Sequence, residues 1–121
     1  MRRLHTPVLM AGLVVVPAGS ATAEPWQGIW TADPAWCVNA GRIGSVTPAP
    51  VALTAAEFLG YENSCELSRV EDTGLNAWVI DMACQSEGDM HDERRVVMVS
   101  GDDMYMWFGT RAPVHFTRCA S

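Results

Sequence analysis

Residues 77–84 have the sequence AWVIDMAC, and this stretch decides the fold class. Every second position from Trp78 to Cys84 carries a large apolar side chain or a cysteine, whereas the positions between them are smaller or polar. A period of two indicates a β-strand with one buried face. The same alternation occurs over residues 65–68, and residues 71–74 between the two stretches have turn chemistry. The pattern therefore predicts a β-hairpin.

The rest of the chain continues this pattern towards its end. Turn-forming residues separate three further strand-like stretches, namely residues 95–100, 104–108 and 114–119. Turn signals at such short spacing predict a mainly β fold, a small antiparallel meander or barrel.

The first half is less regular. Gly28-Ile29-Trp30 predicts the start of a strand, and residues 38–52 are rich in glycine and proline and indicate loop. Thr54 and Glu57 have the spacing of a helix capping box, which suits a short helical turn, but residues 58–61 suit a strand equally well.

The N-terminal residues have the pattern of a secretory signal peptide. Two arginines at positions 2 and 3 precede an apolar run over residues 7–16, which is too short to span a bilayer. Small residues at Ala21 and Ala23 then match a signal-peptidase site. We expect a signal peptide over residues 1–23 and a single exported domain, periplasmic or secreted, over residues 24–121.

The predicted mature domain is strongly acidic. Residues 24–121 contain six arginines, no lysine and fourteen acidic residues, which gives a formal net charge of −8. This charge argues against nucleic acid and anionic membrane as partners, because both need a basic patch. No membrane span is expected in the mature form, and the expected partner is an envelope protein or a small ligand.

The four cysteines predict a disulfide framework. Consecutive cysteines stand at least 19 residues apart, and no C-x-x-C pair suggests a metal or redox motif. The hairpin brings Cys65 close to Cys84, and the remaining pair, Cys37 and Cys119, then ties the first part of the domain to its last strand.

Large aromatic side chains are expected mainly in the core, because a small domain needs them to fill its interior. The five tryptophans are Trp26, Trp30, Trp36, Trp78 and Trp107. Trp26 and Trp36 are the expected exceptions, since both lie beside loops.

Residues 87–93 form the densest polar stretch, with four carboxylates and His91. We expect a solvated loop between strands, without a bound metal, because no calcium-loop pattern or zinc ligand set is present. No cofactor and no catalytic residue are predicted. Among the carboxylates, Glu62, Glu66 and Glu87 are the candidates if the domain is a hydrolase.

Short motifs spread over the chain resemble those of uncharacterised small exported two-disulfide proteins of proteobacteria. They are Gly28-x-Trp30, Gly60-Tyr61-Glu62-x-x-Cys65, Trp78 followed by Cys84, Glu87-Gly88 and Arg118-Cys119. The resemblance implies an exported two-disulfide domain without a defined activity. Gly28-x-Trp30 and Arg118 are also similar to the first and last strands of lipocalin-like barrels, although a lipocalin chain is longer.

These observations favour a small exported binding module, non-enzymatic, with an unknown ligand or protein partner. A carboxylate-based hydrolase and a structural accessory of an envelope complex are the alternatives.

Overall fold

The computed structural model describes residues 22–120. Each of its eight strands pairs antiparallel with the next, and the last pairs with the first, so the sheet closes into a barrel. The strands are β1 Gly28–Thr31, β2 Val51–Leu53, β3 Glu57–Gly60, β4 Asn63–Asp72, β5 Ala77–Ser86, β6 Asp89–Ser100, β7 Asp103–Phe108 and β8 Val114–Arg118. The prediction of a mainly β antiparallel barrel is confirmed. The predicted signal peptide lies outside the described residues except for its last two positions, and it stays a prediction.

Tight turns set the register of the long hairpins. Glu87 and Gly88, which join β5 to β6, both have positive φ angles of 49° and 88°, as a type I′ turn requires. Gly101 opens the β6–β7 turn with a φ of 61°. We call the end of the barrel that carries the Glu87–Gly88 turn the upper end. The opposite end, with the β6–β7 turn, is the lower end.

Thr54 caps a turn and does not begin a helix. Its hydroxyl accepts hydrogen bonds from the backbone N–H groups of Ala56 and Glu57 at 3.1 and 3.0 Å. The chain then enters β3, Glu57–Gly60, so the strand alternative is correct as far as Gly60 and no helical turn forms. Local capping spacing can arise in a turn because the threonine hydroxyl serves either structure.

The core consists of side chains that point into the barrel. The inner face of β5 carries Trp78, Ile80, Met82 and Cys84, all buried. Further inward-facing and buried residues are Trp30, Leu53, Phe58, Val97, Val99, Met104, Met106 and Phe116. Packed side chains therefore fill the middle of this barrel, as is usual at eight strands.

The barrel closes where β1 meets β8. Trp30 opposes Arg118 in register, and the Arg118 guanidinium lies 4.2 Å from the centre of a Trp30 ring. Arg118 also donates hydrogen bonds to the carbonyl oxygens of Pro25 and Gln27. Gly28 permits this approach, because a Cβ there would lie 2.5 Å from Arg118 Nη1.

A 3₁₀ segment over Pro34–Arg42 follows β1, where the sequence predicts a turn and then loop. Asp33 caps its start, since its carboxylate accepts a hydrogen bond from the Ala35 N–H at 3.0 Å. Proline at the first position suits such a start. The segment carries Cys37 to a position beside Cys119, the residue that follows β8.

Both disulfides have the predicted pairing. Cys37 bonds to Cys119, with 5.7 Å between the Cα atoms, and Cys65 bonds to Cys84, with 3.9 Å. The first bridge ties the 3₁₀ segment to the residue after β8. The second joins neighbouring strands inside the barrel, where both cysteines are buried.

Candidate functional site

Three polar side chains on β6 point into the barrel. His91, Glu93 and Arg95 oppose Cys84, Met82 and Ile80, respectively, and therefore share the inner face with these buried residues. We call these three residues the inner polar row. The exposed fractions of the side chains are 40 % for His91, 18 % for Glu93 and 12 % for Arg95. The row thus descends from the upper rim into the interior.

Glu93 holds the row together. His91 Nε2 lies 2.5 Å from Glu93 Oε2, and Arg95 Nη2 contacts the other carboxylate oxygen, Oε1. The Arg95 guanidinium also lies 4.2 Å from the centre of the Phe108 ring. Each carboxylate oxygen of Glu93 therefore contacts one of its two neighbours in the row.

The inner polar row is not fully satisfied by hydrogen bonds. Among the described residues, buried Arg95 Nε has no hydrogen-bond partner, and Glu93 Oε1 meets Arg95 as an ion pair without hydrogen-bond alignment. A buried polar atom without a partner costs about 1–3 kcal/mol. Packing alone would favour apolar side chains at these positions, which marks the row as a candidate site.

The row also lies next to a sulfur. The Cys84 Sγ atom, a His91 ring nitrogen and a Glu93 carboxylate oxygen all lie within 4.8 Å of one another. These three donor types bind metals, but Cys84 is bonded to Cys65, so its sulfur carries no thiolate charge. For the same reason Cys84 offers no thiol that could act as a nucleophile.

The predicted loop over residues 87–93 is wrong. Only Glu87 and Gly88 form the turn, and β6 already begins at Asp89. The stretch shows no alternation because its inner positions are polar as well as its outer ones. The sequence reasoning weighed His91 and Glu93 as parts of a solvated loop, and it missed Arg95.

The candidate hydrolase carboxylates lie on the surface. Glu62 and Glu87 sit on turns at the upper end, and both line an open depression of about 750 Å³. Glu66 lies elsewhere, on the outer face of β4, where it opposes Glu57. All three are exposed, and the structure does not bring them together as one site.

A second candidate site lies on the outer surface of the barrel, where β5, β6 and β7 pair. Val79, Val96 and Trp107 form one cross-strand row over β5, β6 and β7, and Met98 and Tyr105 form the centre of the next row. We call these five residues the outer apolar face. Met98 is 41 % exposed and Tyr105 39 %, and the other three are half-buried. Ala77 extends the second row on one side, and His115 stacks on Tyr105 with 4.8 Å between the ring centres on the other.

Charged side chains replace apolar ones on the same strands towards the upper end. Asp81 opposes Arg94 across β5 and β6, and Arg94 Nε donates to Asp81 Oδ1 at 2.6 Å. This hydrogen bond, together with the positive charges of Arg94 and Arg69, lowers the pKa of Asp81 from 3.8, against a smaller opposing effect of desolvation. The outer apolar face is thus confined to the lower half of the sheet.

The expectation for the tryptophans is partly wrong. Trp26 is only 3 % exposed and packs into the core at the lower end, whereas Trp36 is half-buried on the 3₁₀ segment. The outward-facing tryptophan in a strand is Trp107. Residues 104–108 are apolar on both faces, so alternation could not show which side chains point outward.

No helix within residues 22–120 is long and apolar enough to cross a membrane.

Comparison with known proteins adds no relative. No family model, no curated protein and no solved structure matches this chain. The resemblances that the sequence suggests therefore stay predictions.

Proposed function

We propose that this domain is an exported binding module that docks a protein partner through the outer apolar face. The observation that carries the proposal is the unbroken cross-strand surface of Val79, Val96, Met98, Tyr105 and Trp107. Aromatic residues and methionine are enriched at protein interfaces, and a few such residues supply most of the binding energy. Contiguous apolar patches on a small domain mark interaction sites.

The charge around the face favours a basic partner. Glu71 opposes Val79 on the neighbouring strand, and Asp103 at the lower end lies 2.8 Å from His115, which stacks on Tyr105. The net charge of −8 over residues 24–121, from six arginines and fourteen acidic residues, adds long-range attraction for a cation. The partner we propose is a protein that presents apolar side chains surrounded by lysine or arginine.

Two disulfides support the exported location, because disulfides persist mainly in oxidising compartments. Intact-mass measurement of the native protein tests it. A mature chain that begins at Glu24, recovered outside the cytoplasm, is expected. A full-length chain with reduced cysteines in the cytoplasm would contradict this part of the proposal.

The docking face is tested with a matched pair of variants. Met98→Glu with Trp107→Ser removes the face, and Val38→Glu alters an 84 % exposed apolar residue on the 3₁₀ segment as the control. We expect immobilised wild-type and Val38→Glu domains to capture the same envelope protein, and the double variant to lose it. Calorimetry with the purified partner should then give a Kd below about 10 µM. The double variant should weaken it at least about thirtyfold.

The salt dependence of binding tests whether the partner is basic, and sedimentation tests whether the partner is a second copy of this domain. Binding to a basic partner should weaken as ionic strength rises, because salt screens exposed charges. Equal capture by the double variant would refute the face. A dimer in sedimentation equilibrium that Met98→Glu with Trp107→Ser dissociates would show instead that a second copy occupies it.

A further inference from the structure

The inner polar row and the Cys65–Cys84 bridge bring three metal-binding atoms close together in the barrel, and a fourth, the Cys65 Sγ, is bonded to one of them. Cys84 opposes both Cys65 on β4 and His91 on β6. The Cys84 Sγ, a His91 nitrogen and a Glu93 oxygen lie within 4.8 Å of one another, and the Cys65 Sγ is bonded to the Cys84 Sγ. Within residues 22–120 this is the one cluster of three such donor residues.

We propose that reduction of the Cys65–Cys84 bridge turns this cluster into a zinc site, with Cys65, Cys84, His91 and Glu93 as its ligands. Two thiolates, an imidazole and a carboxylate make a four-ligand set that suits tetrahedral zinc. While the bridge is intact, neither sulfur carries the charge that a metal ligand needs. With the bridge intact, this cluster therefore lacks the two thiolates of the proposed ligand set.

The conversion of the bridge into a zinc site takes two chemical steps. A dithiol reductant gives two electrons and two protons to the bridge, which becomes two thiols, while the dithiol becomes its own disulfide. Zn²⁺ then replaces the two thiol protons, which pass to water, and forms two zinc–sulfur bonds.

The surroundings fit this change. Glu93 has one oxygen on His91 and the other on Arg95, so the first can turn to the metal while Arg95 keeps its hold on the second. An arginine that orients a ligating carboxylate is a typical outer-sphere partner. His91 is the most exposed of the four, so the metal can enter from the upper rim. The site is separate from the outer apolar face and does not depend on the proposed function.

Zinc titration with and without reduction tests the proposal. A phosphine replaces the dithiol in the test, because dithiols themselves bind zinc, and it leaves as the phosphine oxide with oxygen from water. We expect the reduced protein to bind one zinc with a Kd below about 1 µM. The oxidised protein should show no stoichiometric binding. Cobalt in place of zinc should give the sulfur-to-metal charge-transfer absorption of a thiolate site.

Matched variants identify the ligands. His91→Ala and Glu93→Gln should each weaken zinc binding to the reduced protein at least about tenfold. The control is His115→Ala, which removes a histidine that is also paired with a carboxylate, Asp103, at 2.8 Å. It should leave the affinity unchanged.

Three results of the binding measurements would overturn the proposal. They are the absence of stoichiometric zinc after reduction, equal zinc binding by the His91→Ala variant, and equal binding before reduction. Because reduction also opens Cys37–Cys119, thermal unfolding is followed in parallel. Zinc should raise the melting temperature of the reduced protein, and a reduced chain that stays unfolded with zinc would also refute the site.

Discussion

Arg118 shows how one residue can serve both closure and packing in a small barrel. Its guanidinium covers Trp30 and donates to the carbonyl oxygens of Pro25 and Gln27, so it joins the last strand to the residues before the first. Planar stacking and a fork of donors belong to arginine and not to lysine. The sequence alone marked Arg118 only through a resemblance, because a contact across more than 90 residues leaves no local pattern.

Arg118→Met should therefore destabilise the domain. Arg118→Met removes a cation–π contact, two hydrogen bonds to backbone carbonyl oxygens and one to Asp102 Oδ1. These losses predict a decrease in the free energy of unfolding of about 2–3 kcal/mol. Urea denaturation measures it, with Arg111→Met on the exposed β7–β8 turn as the control. The control should stay within about 0.5 kcal/mol of the wild type. Equal effects of the two substitutions would contradict the role of Arg118.

The Asp81–Arg94 pair gives a prediction in acid. The hydrogen bond from Arg94 lowers the folded-state pKa of Asp81 below its ordinary value of 3.8. The pair therefore stabilises the fold above that value, and the contribution is lost as the pH falls through the lowered folded pKa. An NMR titration of the Asp81 carboxyl should give a midpoint below 3.8, and Arg94→Gln should raise it. A midpoint that Arg94→Gln leaves unchanged would refute the assignment.

At the scale of elements, β5 and β6 show what a sequence pattern can and cannot predict. The alternation predicts β5, since its inner face is apolar from Trp78 to Cys84. The first half of β6 is not predicted, because His91 and Glu93 put polar groups on the inner face as well. The candidate site and the missed strand therefore have the same cause. Polar side chains at inward-facing positions remove the alternation by which a strand is recognised in a sequence.

The β5–β6 turn carries a strain that a substitution can relieve. Glu87 has a positive φ of 49°, which costs a non-glycine residue free energy, whereas asparagine tolerates this conformation. Glu87→Asn should raise the free energy of unfolding by roughly 0.5–1 kcal/mol, because Asn-Gly is the preferred type I′ pair. Glu87→Gln removes the same charge without the backbone preference, so it serves as the control in thermal denaturation. A gain of equal size with glutamine would show that charge, and not backbone conformation, is the cause.

For the whole molecule, closure of the barrel depends on a short strand pairing between residues that are far apart in the sequence. Nine residue pairs join β4 to β5, whereas the register of β1 with β8 contains two, Trp30 with Arg118 and Thr31 with Thr117. The predicted meander follows from turns and alternation, which are local. Closure into a barrel was one of the two predicted architectures, and the sequence left open which of them forms because closure depends on the register of distant strands. The apolar outer face depends on register in the same way and was not predicted.

The Cys37–Cys119 bridge should therefore be the main interaction that stabilises the pairing of β1 with β8, which we call the seam. It closes a loop with a sequence separation of 82, so Cys37→Ala with Cys119→Ala should lower the free energy of unfolding by about 4 kcal/mol on the loop-entropy account.

Because the seam is short, we also expect it to open locally before the barrel unfolds. Native-state hydrogen exchange measures this at the Cys119 position, whose backbone N–H bonds to the Ile29 carbonyl at 2.8 Å in the wild type. In the variant, exchange there should need a smaller opening free energy than exchange in β5 and β6. Cys65→Ala with Cys84→Ala is the control, since it removes a bridge between strands that are already joined along their length. If seam and centre exchange with the same free energy in the Cys37–Cys119 variant, the barrel opens as one unit and the bridge acts on the unfolded chain alone.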